Sequence, residues 1–146
     1  VTPGGRAEEG ASIVGDVAFY DGACGLCHAT VRFVLLRDRA GVLTYAPIGG
    51  ATWREVFPAG SAAPPTDTMS VRTSDLRVLV RSDAVAYLLS RLPGLWPLAG
   101  SMLRVVPRPL RDAGYRGVAS VRRGLFAPPG DVCPVVPRHL RGRFLP

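Results

Sequence analysis

The run Cys24-Gly25-Leu26-Cys27 constrains this chain more than any other feature, because of what stands on either side of it. Ahead of it, Val17-Ala18-Phe19-Tyr20 is a short apolar segment of strand character that ends at Asp21-Gly22, a strong turn dipeptide. Behind it, Cys27, Val31, Val34 and Leu35 recur at the three-and-four spacing of one buried helical face. The two cysteines therefore straddle a strand-turn-helix junction. Within one helical turn they are close enough to form a disulfide without moving the backbone. Cys24 lies at the helix start, where unpaired backbone N–H groups and the helix dipole favour a thiolate and should draw its pKa below the ordinary ~8.5. That makes Cys24 the candidate nucleophile. Cys27, on the core-facing stripe, is the candidate resolving thiol.

The remaining pattern places this junction in a recognisable order of elements. Leu43 to Ala46 reads as a second strand, and the Gly- and Pro-rich stretch from Gly49 to Pro65 holds one short helix near Trp53 to Phe57. Met69 to Arg72 and Leu76 to Val80 read as a hairpin closed through Ser74-Asp75. Ser82 then caps a helix whose Val85, Leu88, Leu89 and Leu92 form an apolar stripe up to Pro93-Gly94. Two parallel strands, an antiparallel hairpin and a closing helix make an α/β, thioredoxin-like βαβ-ββα core. From Trp96 the chain adds a C-terminal helical extension, clearest over Pro109 to Leu125, and a Pro- and Arg-rich tail. The expected organisation is a leader over 1–15 and a single domain over 16–146, with its core at 16–93 and the extension and tail at 94–146.

Composition narrows the function classes. With 47% hydrophobic and 20% charged residues, the 146-residue chain is neither disordered nor disulfide-dense. Its net charge of +7 is carried by arginine alone, since all 18 basic residues are Arg. The arginines are scattered and lack the aromatic interleaving or helix-turn-helix pattern of a nucleic-acid reader, so no nucleic-acid partner is expected. No segment approaches the ~20 apolar residues of a membrane span, and no apolar signal core precedes residue 15. The expected compartment is the cytoplasm, where three cysteines are not a structural disulfide framework.

The same spacing serves other chemistries. Cys24, Cys27, Cys133 and either His139 or His28 make a four-ligand set for a non-enzymatic zinc module, although Cys133 and His139 are spaced more loosely than an ordinary second ligand pair. Cys24-x-x-Cys27-His28 is also the haem-attachment pattern, with Met69 or Met102 as a second axial ligand. Strand-turn-helix context favours redox chemistry over both, with no metal and no cofactor beyond the redox-active disulfide itself. Cys133 reads as a small buried hydrophobe or as a third exchanging thiol.

Tyr20-Asp21-Gly22-Ala23-Cys24-Gly25-Leu26-Cys27, with Val31-Arg32-Phe33 and Arg37-Asp38, resembles the DCC family of thiol-disulfide oxidoreductases, whose signature is Asp-x-x-Cys-x-x-Cys. The likeness continues through Thr68-Met69-Ser70-Val71, Arg81-Ser82-Asp83-Ala84-Val85, Arg111-Asp112 with Tyr115, Val118-Ala119, Arg122, Asp131-x-Cys133 and Arg143-Phe144-Leu145, and so covers about residues 17–146. It implies a thioredoxin-like fold and disulfide oxidoreductase activity; the expected reaction is exchange with a protein or low-molecular-weight thiol. The family's leading acid falls on Asp21, which either holds the turn and caps the helix or relays a proton from Cys27.

Thioredoxins place a cis-proline where this chain has Asp67-Thr68-Met69, so peptide pairing in their manner is not expected. Candidate substrate contacts are instead Gly25, Thr68, Met69, Ser82 and Asp83. The Ser82-Asp83 helix start is similar to the element that holds the γ-glutamyl end of glutathione in glutaredoxins. Its plain alternative is a Ser N-cap followed by a first-turn acid. For Arg111, Asp112, Tyr115 and Arg122, at helical spacings, ion pairing with packing is the default expectation.

Overall fold

A computed structural model describes residues 15–125 and 138–146, together with Ile13. In chain order the elements are β1 (Asp16–Tyr20), α1 (Gly25–Arg37), β2 (Leu43–Pro47), α2 (Ala51–Val56), β3 (Ser70–Arg72), β4 (Val78–Val80), α3 (Arg81–Ser90), α4 (Trp96–Val105), α5 (Arg108–Leu125) and a terminal 3-10 helix (Arg138–Arg143). The strands form one sheet in the order β2-β1-β3-β4. β1 and β2 are parallel, and β3 is antiparallel to both β1 and β4. This is the thioredoxin-like α/β arrangement expected from the sequence.

Strand β1 has helices over both faces, which explains why it runs apolar from Val17 to Tyr20 instead of alternating. Val17 and Phe19 point to the side of α2, where they meet Ala46 and Trp53. Ala18 and Tyr20 point to the opposite side and pack with Cys27, Val31, Val34 and Leu35 of α1 and Ala84 and Leu88 of α3. The predicted stripe of α1 is thus its buried face. Helix α4 lies close on α3 at Gly100, where a Cβ would stand 2.7 Å from the Ala86 carbonyl oxygen. No side chain fits there without separating the two helices.

The start of α3 differs from expectation. Helix α3 begins at Arg81 with Val80 as its N-cap, and no side chain caps it. Ser82 is buried and turned away, with its Oγ donating to Asp112 Oδ1 of α5 at 2.5 Å. A carboxylate outcompetes a main-chain N–H as partner for this hydroxyl because the bond is charge-assisted. The hairpin strands are also shorter than expected, and Leu76 takes φ 66 in the turn between them.

Two buried carboxylates hold the ends of the fold. Asp16 accepts from the Ser74 N–H at 2.8 Å and the Tyr87 hydroxyl at 2.7 Å and pairs with Arg91, tying the hairpin turn and α3 to β1. Asp38 accepts from the N–H groups of Gly41 and Leu43 and pairs with Arg143, whose guanidinium also donates to the Leu43 carbonyl. Phe144 then stacks on Tyr45, the Leu145 N–H donates to the Tyr45 carbonyl, and the Thr52 N–H donates to the Pro146 carbonyl. The last four residues therefore cover the β2 edge, which would otherwise expose unpaired strand groups. Among the described residues, no helix is long and apolar enough to cross a membrane.

Removing one partner of the buried Asp38–Arg143 pair leaves an uncompensated charge, so Asp38→Ala should cost about 3 kcal/mol or more of unfolding free energy in urea titrations. Asp38→Leu with Arg143→Met should cost less than Asp38→Ala alone. Burial also pushes the Tyr45 phenol well above its ordinary value, and its hydroxyl has no hydrogen-bond partner among the described residues. The unfolded chain releases that proton first, so this contribution to stability is complete below about pH 10 and is lost as the pH rises further. Tyr45→Phe should therefore flatten the alkaline fall of the urea midpoint above pH 10.

Candidate functional site

The site forms where β1 ends and α1 begins. Cys24 occupies the N-cap of α1 in an extended conformation, and its Sγ accepts from the Cys27 N–H at 3.4 Å. The sequence offered Asp21 as the cap, but the sulfur takes that place. The Asp21 carboxylate instead accepts from the Ala23 N–H at 2.9 Å, while its carbonyl accepts from the Cys24 N–H, so Asp21 holds the turn that presents Cys24. An Asx turn of this kind is local and needs no helix.

His28 steadies the same turn from the helix side. Its Nε2 lies 2.7 Å from the Gly22 carbonyl oxygen, and its ring meets Tyr20 edge to face. A carbonyl only accepts, so His28 carries a proton on Nε2. The two thiols differ in access: Cys24 is half-buried, whereas Cys27 is only 5% exposed and sits in the core with Val31 and Val34. An accessible sulfur in front of a buried one is the order that two-step exchange requires.

Thr68 and Met69 precede β3, and both are buried. Met69 shares with Cys27 a small apolar cavity of about 50 Å³, whose wall also includes Leu26, Val85 and Tyr115. The Tyr115 hydroxyl accepts from the Met69 N–H at 3.2 Å and from the Thr68 hydroxyl at 2.9 Å. Helix α5 thereby takes the main-chain donor of Met69, which shares this cavity with Cys27. An apolar groove continues from this cavity between α1 and α3, along Leu26, Thr30, Phe33, Val85 and Leu89.

Ser82 and Asp83 stand one step further from the thiols and are already engaged. Ser82 bonds to Asp112, and Asp83 pairs with Arg108 at 2.8 Å and Arg111 at 3.1 Å. The helical spacing of Arg111, Asp112 and Tyr115 thus serves pairing between elements, since each reaches a partner on α3 or at the start of β3. Sequence reasoning missed that α5 lies across the entrance to the site, although the 111, 112 and 115 spacing already marked one face. Met69 lies in the core, whereas Met102 is 66% exposed on α4. His139 is exposed in the terminal 3-10 helix. Cys133 falls outside the described residues.

A family model described as DCC1-like thiol-disulfide oxidoreductase matches residues 18–127. The Bacillus subtilis protein YuxK is 29% identical over 132 residues, covering 89% of this chain and 93% of the relative. A chloroplastic DCC family protein of Arabidopsis thaliana is 24% identical over 110 residues, covering 75% of this chain and 64% of the relative. No solved structure matches.

Tyr115→Phe removes the acceptor from the Met69 N–H and the Thr68 hydroxyl. It should cost about 1–2 kcal/mol, and Met69 should show faster native-state amide exchange. Unchanged protection at Met69 would mean that this bond does not hold α5 in place.

Proposed function

The chain belongs to the DCC1-like thiol-disulfide oxidoreductase family, and on that premise we propose that Cys24 and Cys27 carry out the exchange in two displacements. In the reductive direction the Cys24 thiolate attacks a disulfide R–S–S–R′, forms a Cys24–S–S–R mixed disulfide and releases R′ as a thiolate. The Cys27 thiolate then attacks Cys24 Sγ, closing the Cys24–Cys27 disulfide and releasing R as a thiolate. Two electrons pass from the dithiol to the substrate, and the two thiol protons end on the released thiols. The reverse sequence oxidises a substrate dithiol.

The observation that carries this reading is the position of Cys24 as the sulfur cap of α1. A sulfur that accepts from a main-chain N–H at a helix start is stabilised when it carries negative charge, both as attacking group and as leaving group. The burial of Cys27 supports its role as the second thiol, because it meets only a disulfide already formed on Cys24. The position of Asp21 supports a part in holding the turn. The dithiol is itself the redox group, so exchange requires no added cofactor, and a pair kept as thiols fits a reducing compartment such as the cytoplasm.

The engagement of the Met69 N–H by Tyr115 favours a compact disulfide over an extended peptide, which would need that donor for strand-like pairing. Thr68, Met69 and Gly25 remain the near contacts of such a substrate. Ser82 and Asp83 would contribute only if α5 yielded their present bonds.

With a disulfide probe and Cys133 replaced by Ser throughout, Cys27→Ser should accumulate a covalent adduct on Cys24 visible by intact mass, and Cys24→Ser should form none. If Cys24 also alkylates no faster than a free cysteine, the proposed exchange is wrong.

A further inference from the structure

Beside the thiol pair, and separate from the Ser82-Asp83 helix start, lies a polar cleft of about 320 Å³ bounded by Asp67, Thr68, Arg81, Tyr115, Arg116 and Ser120. It shares the walls Tyr115 and Ala119 with the cavity behind Cys27, so the two adjoin at α5. Two of its walls are guanidinium-bearing. The ion pairs among the described residues engage Arg77, Arg91, Arg108, Arg111 and Arg143, and include neither Arg81 nor Arg116. Arg116 donates from Nε to the Asp112 carbonyl, an anchor that leaves its two terminal nitrogens for another acceptor.

The backbone of Arg81 adds an independent mark. Arg81 takes φ 52 at the junction of β4 and α3, in the left-handed region that a residue with a Cβ seldom adopts. Its N–H donates to the Met69 carbonyl at 3.1 Å, so the same peptide segment that faces the thiols fixes this geometry. Strain of this kind is retained where the surrounding structure holds it, and it concentrates at ligand sites. Glycine or asparagine would meet the backbone requirement more easily, yet this position holds an arginine whose side chain lines the cleft.

We propose that this cleft binds the carboxylate end of a low-molecular-weight thiol or disulfide, with Arg81 and Arg116 holding the carboxylate and the Thr68 and Tyr115 hydroxyls beside it. Arginine suits this role through its paired N–H donors, which match the two oxygens of a carboxylate. The inference rests on exchange at Cys24 and specifies its substrate class: a carboxylate held here leaves the sulfur end directed along α5 toward the thiols.

A series of disulfides of different charge tests it on the full chain. Glutathione disulfide is anionic, hydroxyethyl disulfide neutral and cystamine cationic, and kcat/KM should fall in that order. In Arg81→Gln and in Arg116→Gln, the ratio of kcat/KM for glutathione disulfide to that for hydroxyethyl disulfide should drop about tenfold, the loss of one charge-assisted contact. An unchanged ratio, or an equal fall on all three disulfides, overturns the proposal. S-methylglutathione, which cannot exchange, supplies a readout independent of Cys24 chemistry: calorimetric titration should detect binding to the unaltered chain and weaker binding to both variants. Absence of that binding refutes the cleft even where exchange is active. Binding without turnover of any disulfide refutes the exchange mechanism and retains the cleft.

Discussion

The burial of β1 on both faces is the constraint from which the rest of the molecule follows. The apolar run Val17 to Tyr20 requires one layer on each side, and the chain supplies α2 on one and the crossover helix α1 with the post-hairpin helix α3 on the other. The polar groups are displaced to the two ends of the strand. At its start, Asp16 collects the hairpin turn, Tyr87 and Arg91. At its end, the chain must leave the core within a few residues, and Asp21, Gly22 and Cys24 perform that exit. The Cys24 sulfur stands where a fully buried strand emerges.

Helix α5 gives the entrance its character. Tyr115, Asp112 and Arg111 engage in turn the peptide before β3, Ser82 and Asp83, which are three features that an open thioredoxin-like site would leave to substrate. The chain thus satisfies from within much of the polar surface around its thiols. What remains for a ligand is the apolar wall behind Cys27 and the arginine-lined cleft beside it.

The local elements were legible in the sequence wherever one periodicity dominated. The stripe of Cys27, Val31, Val34 and Leu35 and the turn at Asp21-Gly22 located α1 and the thiol pair, because helix faces and turn residues are short-range signals. Long-range polar partners were not legible. Nothing in the spacing of Asp38 and Arg143, 105 residues apart, distinguishes them from surface charges. Ser82 misled for a related reason: its position just after β4 fits an N-cap, and only the arrival of Asp112 from α5 decides otherwise. Asp21 likewise fits both a turn and a cap, and the sulfur of Cys24 settled which it performs.

The use of a cysteine sulfur as helix cap ties the redox state to the folding equilibrium. On the proposed exchange, a Cys24 sulfur bonded to Cys27 is a different acceptor for the Cys27 N–H than a free one, so the first turn of α1 is held differently in the two redox states. By thermodynamic closure, any difference in unfolding free energy between the two states equals the shift in the reduction potential of the pair on folding, with 30 mV corresponding to about 1.4 kcal/mol. On the proposed exchange, a single hydrogen bond at a helix terminus would thereby help set how readily electrons leave the pair.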